Sequence, residues 1–372
     1  MSHNLTMTDL FCGAGGSSTG ATMFGGIDVR LAANHWDRAI ETHNANHPDT
    51  DHLQADISQV DPRYIASTDL LWASPECTNH SRAKGRKLHK QPDLFGEVLP
   101  DEAAERLRAT MWDVVRFTEA HEYRAVLVEN VVEVVDWSSP TGIRGGLFES
   151  WLLAMSNMGY EHRIISLNSM HAKAYGLPAP QSRDRVYIAF WRTGERAPDF
   201  EQMQRPQAWC PSCEEAVASI QSWKKPGTRT GRYRSQYVYR CPKHSCRGQI
   251  VEPAWLPAAS FIDWSNPGVR IGDRDKPLAD KTLRRIQAGI DRYWAPLLVE
   301  HGGNPYDAAD PKHPRFGDPD SYYRAWPTSD PSQTMHTRES KALALLPNLI
   351  PAGPGRGPGG RAAVPGRSRR TR

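Results

Sequence analysis

Cys77, Glu129, Arg183 and Arg185 are the residues of this chain best placed to do chemistry. Each stands beside an apolar run that reads as a strand: "DLLWAS" before Pro75-Glu76-Cys77, "VLV" before Glu129-Asn130, and "VYIAFW" after the second arginine. A free thiol is mostly protonated near neutrality, and nearby cations favour its nucleophilic thiolate. The run 82–90, with five Lys/Arg and no acid, can supply such cations once closed over a substrate, while Glu76 opposes them. A carboxyl group at a strand end is costly unless it has a partner or a task. Arg183 and Arg185 are two apart and share a face. Taken singly, Cys77 reads as a nucleophile or a small core residue, and Glu129 as an acid or the partner of an arginine. Together, a thiol, a carboxylic acid and guanidinium groups suit covalent addition to an electron-poor ring, one group attacking and another protonating a ring nitrogen.

These residues meet only if the strands carrying them end on one side of a sheet. "NLTMTDLF", "VRLAAN", "TDLLWAS", "AVLVEN", "EHRIISLN" and "DRVYIAFW" read as strands. "WDRAIETHNAN", "DEAAERLRATMWDVVRFTEAH" and "LFESWLLAMSNM" read as helices, the last ended by Gly159. In the second helix Leu107, Met111, Val114 and Val115 follow the amphipathic rhythm, with Asp101 as N-cap. This alternation predicts an α/β, doubly wound, Rossmann-like sheet, whose ligands bind beyond the carboxyl ends of the strands. "DLFCGAGGSSTG" follows the first strand. Its glycines permit a tight turn, and the helix after it offers N–H groups to a carboxylate. Ser18 at the third position of the dinucleotide fingerprint argues against a nicotinamide cofactor.

The chain has 372 residues, 39% hydrophobic, with twelve Trp, enough for one large domain or two ordinary ones. No apolar run approaches the roughly 20 residues of a membrane span. The N-terminal stretch lacks the features of a signal peptide, so a cytoplasmic protein with reduced thiols is expected. The net charge of +4 is uneven: six Arg fall in the tail from Gly353, which leaves −2 for the remainder. Residues 224–247 hold eight Lys/Arg and no acid, interleaved with Tyr233, Tyr237 and Tyr239. Cys210-Pro-Ser-Cys213 and the wider pair Cys241 and Cys246 flank a 27-residue gap. Two such pairs can supply the four ligands of tetrahedral structural zinc, with His244 as an alternative to one cysteine.

The ordered set of motifs resembles the DNA cytosine-5 methyltransferases over about residues 7–191. "DLFCGAGGSSTG" is similar to the family's donor loop, "SPECTNHS" to its nucleophile motif, "ENV" to its acid motif and "QSRDR" to its Gln-x-Arg-x-Arg motif. The resemblance implies that Cys77 attacks C6 of a flipped-out cytosine and Glu129 protonates N3. The methyl group of S-adenosylmethionine then passes to C5. It further implies that Asn130 orients the site, and that Arg183 and Arg185 steady the ring carbonyl and the Cys77 loop. Phe11, Gly13, Gly15 and Gly16 would surround the methionine part of the donor, Trp36 would stack on adenine, and Asp56 and Ile57 would contact it. The run 82–90 matches the family's mobile loop over DNA.

Three departures stand out. Asn34 and His35 occupy the place of the family's ribose-binding carboxylate, so donor binding is expected to be weaker or pH-sensitive. Glu76 and Thr78 flank the cysteine where the family has Pro and Gln. "PSQTMHTRES" resembles the family's late Thr/Arg segment, but the terminal Gly-Asn-x-Val motif is missing, which leaves three alternatives: a truncated or frameshifted chain, a second chain that supplies the piece, or a relaxed family pattern.

The expected organisation is a catalytic S-adenosylmethionine-dependent domain, 1–191, and a smaller irregular target-recognition region, 192–330, with a zinc ribbon at 208–249. A return segment, 331–350, and a disordered Gly/Pro/Arg-rich tail, 351–372, complete it. The expected activity is methylation of double-stranded DNA by a monomer in a restriction-modification or viral setting. RNA cytosine methylation and a catalytically impaired DNA-binding relative are the alternatives.

Overall fold

The computed structural model describes residues 4–23, 25–76, 102–139, 142–174, 176–266, 269–300, 324–335 and 341–345. Cys77, Thr78, the basic run 82–90, the cap Asp101 and the tail 351–372 lie outside the described residues, as does 336–340 of the late Thr/Arg segment. The chain divides into two compact units, residues 1–257 and 258–372.

In the first unit, apolar strands and amphipathic helices alternate as the periodicity demands. The elements are β1 (Leu5–Leu10), α1 (Gly16–Thr22), β2 (Ile27–Asn34), α2 (Asp37–Asn46), β3 (Asp51–Gln54), β4 (Leu70–Ala73), α3 (Glu102–His121) and β5 (Ala125–Asn130). They continue with α4 (Gly146–Asn157), β6 (Tyr160–Asn168), the two-residue β7 (Gln181–Ser182) and β8 (Asp184–Arg192). Seven strands form one sheet in the order β3-β2-β1-β4-β5-β8-β6. β1 to β5 run parallel, and β8 lies antiparallel between β5 and β6. Strand order reverses between β1 and β4, and a doubly wound sheet opens its ligand crevice at such a point. Leu10 pairs with both Ala33 and Ala73, so the segments leaving β1, β2 and β4 emerge side by side. Because β8 is antiparallel, its start lies beside the end of β5.

The core that fixes these ends is dense. Leu71, Ala73, Val126, Val128, Val186 and Ile188 from the central strands meet Met111, Val114 and Phe117 of α3 and Trp151 and Met155 of α4. The Trp151 indole N–H, which burial would otherwise leave unpaired, donates to the Met111 carbonyl at 2.8 Å.

After a short α5 (Glu201–Gln204) the rhythm changes to small antiparallel pieces. β9 (Gln207–Cys210) pairs with β10 (Glu215–Ala218), and β12 (Tyr237–Arg240) pairs with both β11 (Ile220–Trp223) and β13 (Ile250–Val251). Their shared core contains Cys210, Tyr233, Tyr237, Tyr239 and Cys241.

The second unit holds α6 (Asp280–Tyr293), β14 (Leu297–Glu300), β15 (Ala325–Pro327), the two-residue β16 (Ser332–Gln333) and β17 (Lys341–Ala344). β14 lies between β15 and β17, antiparallel to both. Ile286, Ile290 and Tyr293 pack one face of α6 on Leu297, Val299 and Ala325. Gly289 permits that close approach, since a Cβ there would come within 2.6 Å of Leu297.

Candidate active site

The alternation of β5 separates the two residues of its "EN" end. Asn130 is buried with Val126 and Val128, whereas Glu129 faces the opposite side. The Glu129 carboxylate accepts from Arg185 Nε at 2.6 Å, and an Arg183 terminal nitrogen lies 3.8 Å from the same oxygen. Register explains the meeting, because Glu129 is paired with Tyr187, two residues after Arg185. Arg185 is itself buried, so a single carboxylate carries most of the compensation for a desolvated cation.

Asn130 works on the other side. Its Nδ2 donates to the Pro75 carbonyl at 3.3 Å and lies 3.6 Å from Met111 Sδ, while its Oδ1 accepts from Val131 N–H. The amide thus ties the end of β5 to the segment leaving β4. That segment reaches Glu76, one residue short of Cys77. Ser74 N–H, bonded to the Leu10 carbonyl at 3.1 Å, holds the same segment against β1.

The expected donor residues gather at the neighbouring strand ends. Phe11 (φ 61°), Gly13 (φ 52°) and Gly15 (φ 98°) all adopt left-handed backbone, folding the loop between β1 and α1. Among the described residues nothing lies within 4 Å of a Cβ placed at Gly13 or Gly16, as a close-approaching ligand requires. Trp36, 45% exposed, stands at the start of α2, where a flat aromatic face is free for stacking. Asp56 caps a 3-10 turn by accepting from Ser58 N–H at 3.1 Å. The Ile57 side chain is buried in the core, which leaves its backbone rather than its side chain for contact. These residues fit an adenosine-bearing donor with a methionine-like end.

Sequence reasoning missed a polar chain beneath this loop. Buried Asp9 Oδ2 accepts from Ser17 Oγ at 2.5 Å and Ser18 Oγ at 2.8 Å, whereas Asp9 Oδ1 is buried with no partner among the described residues. Desolvation pushes the Asp9 carboxyl up to about 6, against the two serine bonds that favour its charge. Ser18 Oγ also lies 3.0 Å from His43 Nε2, and His43 Nδ1 lies 2.9 Å from His52 Nε2. Burial lowers His43 to about 4, with His52 and His47 adding to the effect. The chain therefore favours neutral imidazoles that pass hydrogen bonds toward Asp9. The i, i+4 spacing of His43, in the last turn of α2, and His47, its C-terminal cap, is the signal that could have revealed it. His47 closes the other side, with Nε2 3.1 Å from the Gly15 carbonyl and 3.0 Å from Thr19 Oγ1. A Cβ at Gly15 would meet the His47 ring at 2.7 Å.

The four paired cysteines converge. Their sulfurs lie within 4.8 Å of one another, all four are free thiols, and His244 is outside the group. Cys210 and Cys213 bracket the β9–β10 turn, with Cys213 N–H bonded to the Cys210 carbonyl. Burial pushes the Cys241 thiol up to about 12, whereas the Gln249 backbone N–H draws Cys246 down to about 7. Four soft ligands on two turns suit tetrahedral zinc.

This small module grips the strands that carry the acid and the arginines. Tyr233 N–H donates to Asp184 Oδ1 at 2.9 Å, and Asp184 stands between Arg183 and Arg185. Gly231 N–H donates to Ser166 Oγ at 3.1 Å, and Gln221 Nε2 to the Ser166 carbonyl at 2.9 Å. Arg232 pairs with Glu133, just past the end of β5. The basic stretch is therefore partly spent inside the protein: Arg232 on Glu133, Arg234 on Glu252 and Lys243 on Glu215. Lys225, Arg229 and Arg247 are exposed and outside any ion pair among the described residues.

A family model for C-5 cytosine-specific DNA methylases matches residues 5–240, most of the chain. The chain belongs to this family. Among curated proteins it is similar to the type II methyltransferase M.AgeI of Thalassovita gelatinovora, 28% identical over 196 residues, covering 50% of this chain and 40% of that protein. It is also similar to M1.ScrFI of Lactococcus lactis subsp. cremoris, 27% identical over 183 residues, covering 49% and 40%. The chain thus spans about two fifths of the length of the curated relatives it matches. Among solved structures it is similar to the Dnmt2 methyltransferase of S. pombe, with a TM-score of 0.39, 17% identity and 54% of each chain covered. The family match covers the glycine loop, the acid end of β5, the paired arginines and two of the four clustered cysteines, Cys210 and Cys213. Among the described residues no helix is long and apolar enough to cross a membrane.

Proposed function

We propose that this chain methylates C5 of a cytosine flipped out of double-stranded DNA at a specific sequence, through a covalent bond from Cys77. The observation that carries the reading is the convergence at the end of β5. Glu129 lies against Arg185 there, and Asn130 holds the carbonyl two residues before Cys77.

In this reading Cys77 adds to C6 of the ring while Glu129 delivers a proton to N3, so charge does not build up on the base. C5 becomes nucleophilic as a result. S-adenosylmethionine supplies an electrophilic methyl group there. Loss of the C5 proton to a base then allows the bond to Cys77 to break, which restores the aromatic ring and the free thiol. Arg185 orients Glu129 and, with Arg183, offers donors to the ring carbonyl. Phe11, Gly13, Gly15 and Gly16 hold the methionine end of the donor. Trp36 stacks on its adenine, and Asp56 and Ile57 border that base. The target atom cannot be reached in stacked duplex, so the base is extruded first.

Cys210, Cys213, Cys241 and Cys246 hold a structural zinc in this account. Residues 192–330 read the DNA sequence, with Lys225, Arg229 and Arg247 contacting phosphates. The run 82–90 closes over the DNA beside Cys77.

The test is label transfer from tritiated S-adenosylmethionine into duplex DNA and, separately, into tRNA. Label recovered as 5-methylcytosine in the duplex is the expected result. Label confined to RNA would move the activity to that substrate, and DNA binding without label in either would identify a recognition protein that does not catalyse.

A further inference from the structure

A doubly wound fold meets the ribose hydroxyls of a bound nucleoside with an acid near the end of its second strand. In this chain β2 ends at Asn34, and the turn into α2 continues His35-Trp36-Asp37. Asn34 Oδ1 accepts from Trp36 N–H at 2.9 Å and closes the turn, and its neutral amide brings no carboxylate. The Asp37 carboxylate accepts from Arg38 N–H at 2.7 Å in the first turn of α2. His35 brings no carboxylate. Another strand brings one: Glu76, three residues beyond the end of β4, places Oε1 3.4 Å from His35 Nδ1.

The path of that contact matters. β2 and β4 are not neighbours, because β1 lies between them. Glu76 therefore reaches over the end of β1, where the Phe11–Gly16 loop begins, and meets the turn that carries Trp36. The Glu76 side chain is only 28% exposed and His35 is 57% exposed, so the carboxylate is set inward and the imidazole braces it from the solvent side. A carboxylate is an acceptor with two oxygens, and one can face His35 while the other takes ribose hydroxyls.

We propose that Glu76 is the ribose-diol ligand of the bound S-adenosyl nucleoside, held in place by His35. The assignment rests on the donor reading above and adds a residue to it. The carboxylate comes from the nucleophile-bearing segment rather than from β2. This accounts for two departures in the sequence at once: an acid directly before Cys77, and a histidine directly before Trp36.

The test is calorimetric binding of S-adenosylhomocysteine to the full chain, which needs no catalysis. Glu76→Gln should weaken binding about 10- to 100-fold, the loss expected for charge-assisted hydrogen bonds. The same variant should bind the 2′,3′-dideoxy analogue within about threefold of the unaltered protein, because the lost partner is absent from that ligand. Adding His35→Glu to Glu76→Gln should restore S-adenosylhomocysteine binding by supplying the carboxylate from the β2 side. Asp37→Asn should leave binding unchanged. Wild-type affinity in Glu76→Gln would overturn the assignment, as would equal losses for both ligands or a loss in Asp37→Asn instead. An unaltered chain that fails to bind S-adenosylhomocysteine would contradict the donor reading itself, a result distinct from an inert Glu76.

Discussion

Asn130 Nδ2 donates to the Pro75 carbonyl at 3.3 Å, joining the acid-bearing end of β5 to the segment that leads into Cys77. Glu129 and Asn130 are adjacent in sequence but act on opposite faces of β5. One faces the arginines, and the other fixes where the nucleophile segment leaves the sheet.

Removing that tie should slow catalysis without emptying the donor site. Losing one buried hydrogen bond is worth about 1–3 kcal/mol, roughly 5- to 150-fold in rate if the loss falls on the transition state. Asn130→Ala should therefore lower kcat on that scale, while S-adenosylhomocysteine affinity stays within about threefold of wild type. Steady-state kinetics paired with calorimetry will check it, and equal losses in both would place the effect on the fold.

Arg185 should be worth more to stability than an exposed cation. Breaking a buried ion pair from one side costs about 3–5 kcal/mol. Arg185→Met should approach that loss in urea unfolding. Arg185→Met combined with Glu129→Gln should lose less than the two single changes added together, since each removes the same interaction.

Asp9 gives the protein an acid-side signature. Its carboxyl stands near 6 in the fold against an ordinary value of 3.8, because burial opposes its charge. A raised acid favours folding below its unfolded pKa and loses that contribution as pH rises through the folded value. The loss amounts to about 3 kcal/mol by pH 7. Asp9→Asn should escape it. The melting temperature of the variant relative to wild type should therefore climb between pH 4 and pH 6 and level off above. His43 runs the other way: its lowered value supports folding above about pH 6.5 and loses that support as pH falls toward 4. A relative stability of Asp9→Asn that stays flat across this range would contradict the buried carboxyl.

The cysteine module should report on the catalytic strands as well as on itself. The purified protein should carry about one zinc per chain. Chelation should raise hydrogen exchange in β11 and β12 and also at the start of β8, because Tyr233 bonds to Asp184 there. Asp184→Ala should reproduce the β8 change with zinc retained. Protection at β8 that ignores zinc removal would show that the module only sits beside the sheet.

DNA affinity should depend on the exposed cations rather than the paired ones. Lys225→Gln and Arg229→Gln should each flatten the salt dependence of duplex binding by about 0.9 in log–log slope. Lys243→Gln, whose charge is held by Glu215, should change the slope less.

Much of the sheet was legible because its strands are short apolar runs with glycine, proline or capping residues between them. "AVLVEN" and β5 coincide residue for residue. Other features depend on tertiary partners that no local pattern announces. β3, "DHLQ", has no apolar run and forms through its parallel pairing with β2. The antiparallel setting of β8 decides that Arg185 reaches Glu129, whereas the sequence left open whether Glu129 is an acid or the partner of an arginine. The Asp9 chain joins residues from β1, α1, α2 and β3. The basic stretch 224–247 looked uniform, yet Glu133, Glu252 and Glu215 from other segments take up three of its cations. Glu76 appeared only as an obstacle to thiolate formation, because the position of His35 across the sheet end cannot be read from either motif.

The most direct test of the central claim is covalent trapping. Duplex DNA containing 5-fluorocytosine and S-adenosylmethionine should yield a denaturation-resistant adduct with the wild-type protein, since fluorine at C5 blocks the elimination that frees Cys77. The account predicts one modified cysteine, Cys77, by peptide mass analysis, and no adduct from Cys77→Ser. An adduct that persists in Cys77→Ser, or one that maps to another residue, would contradict it.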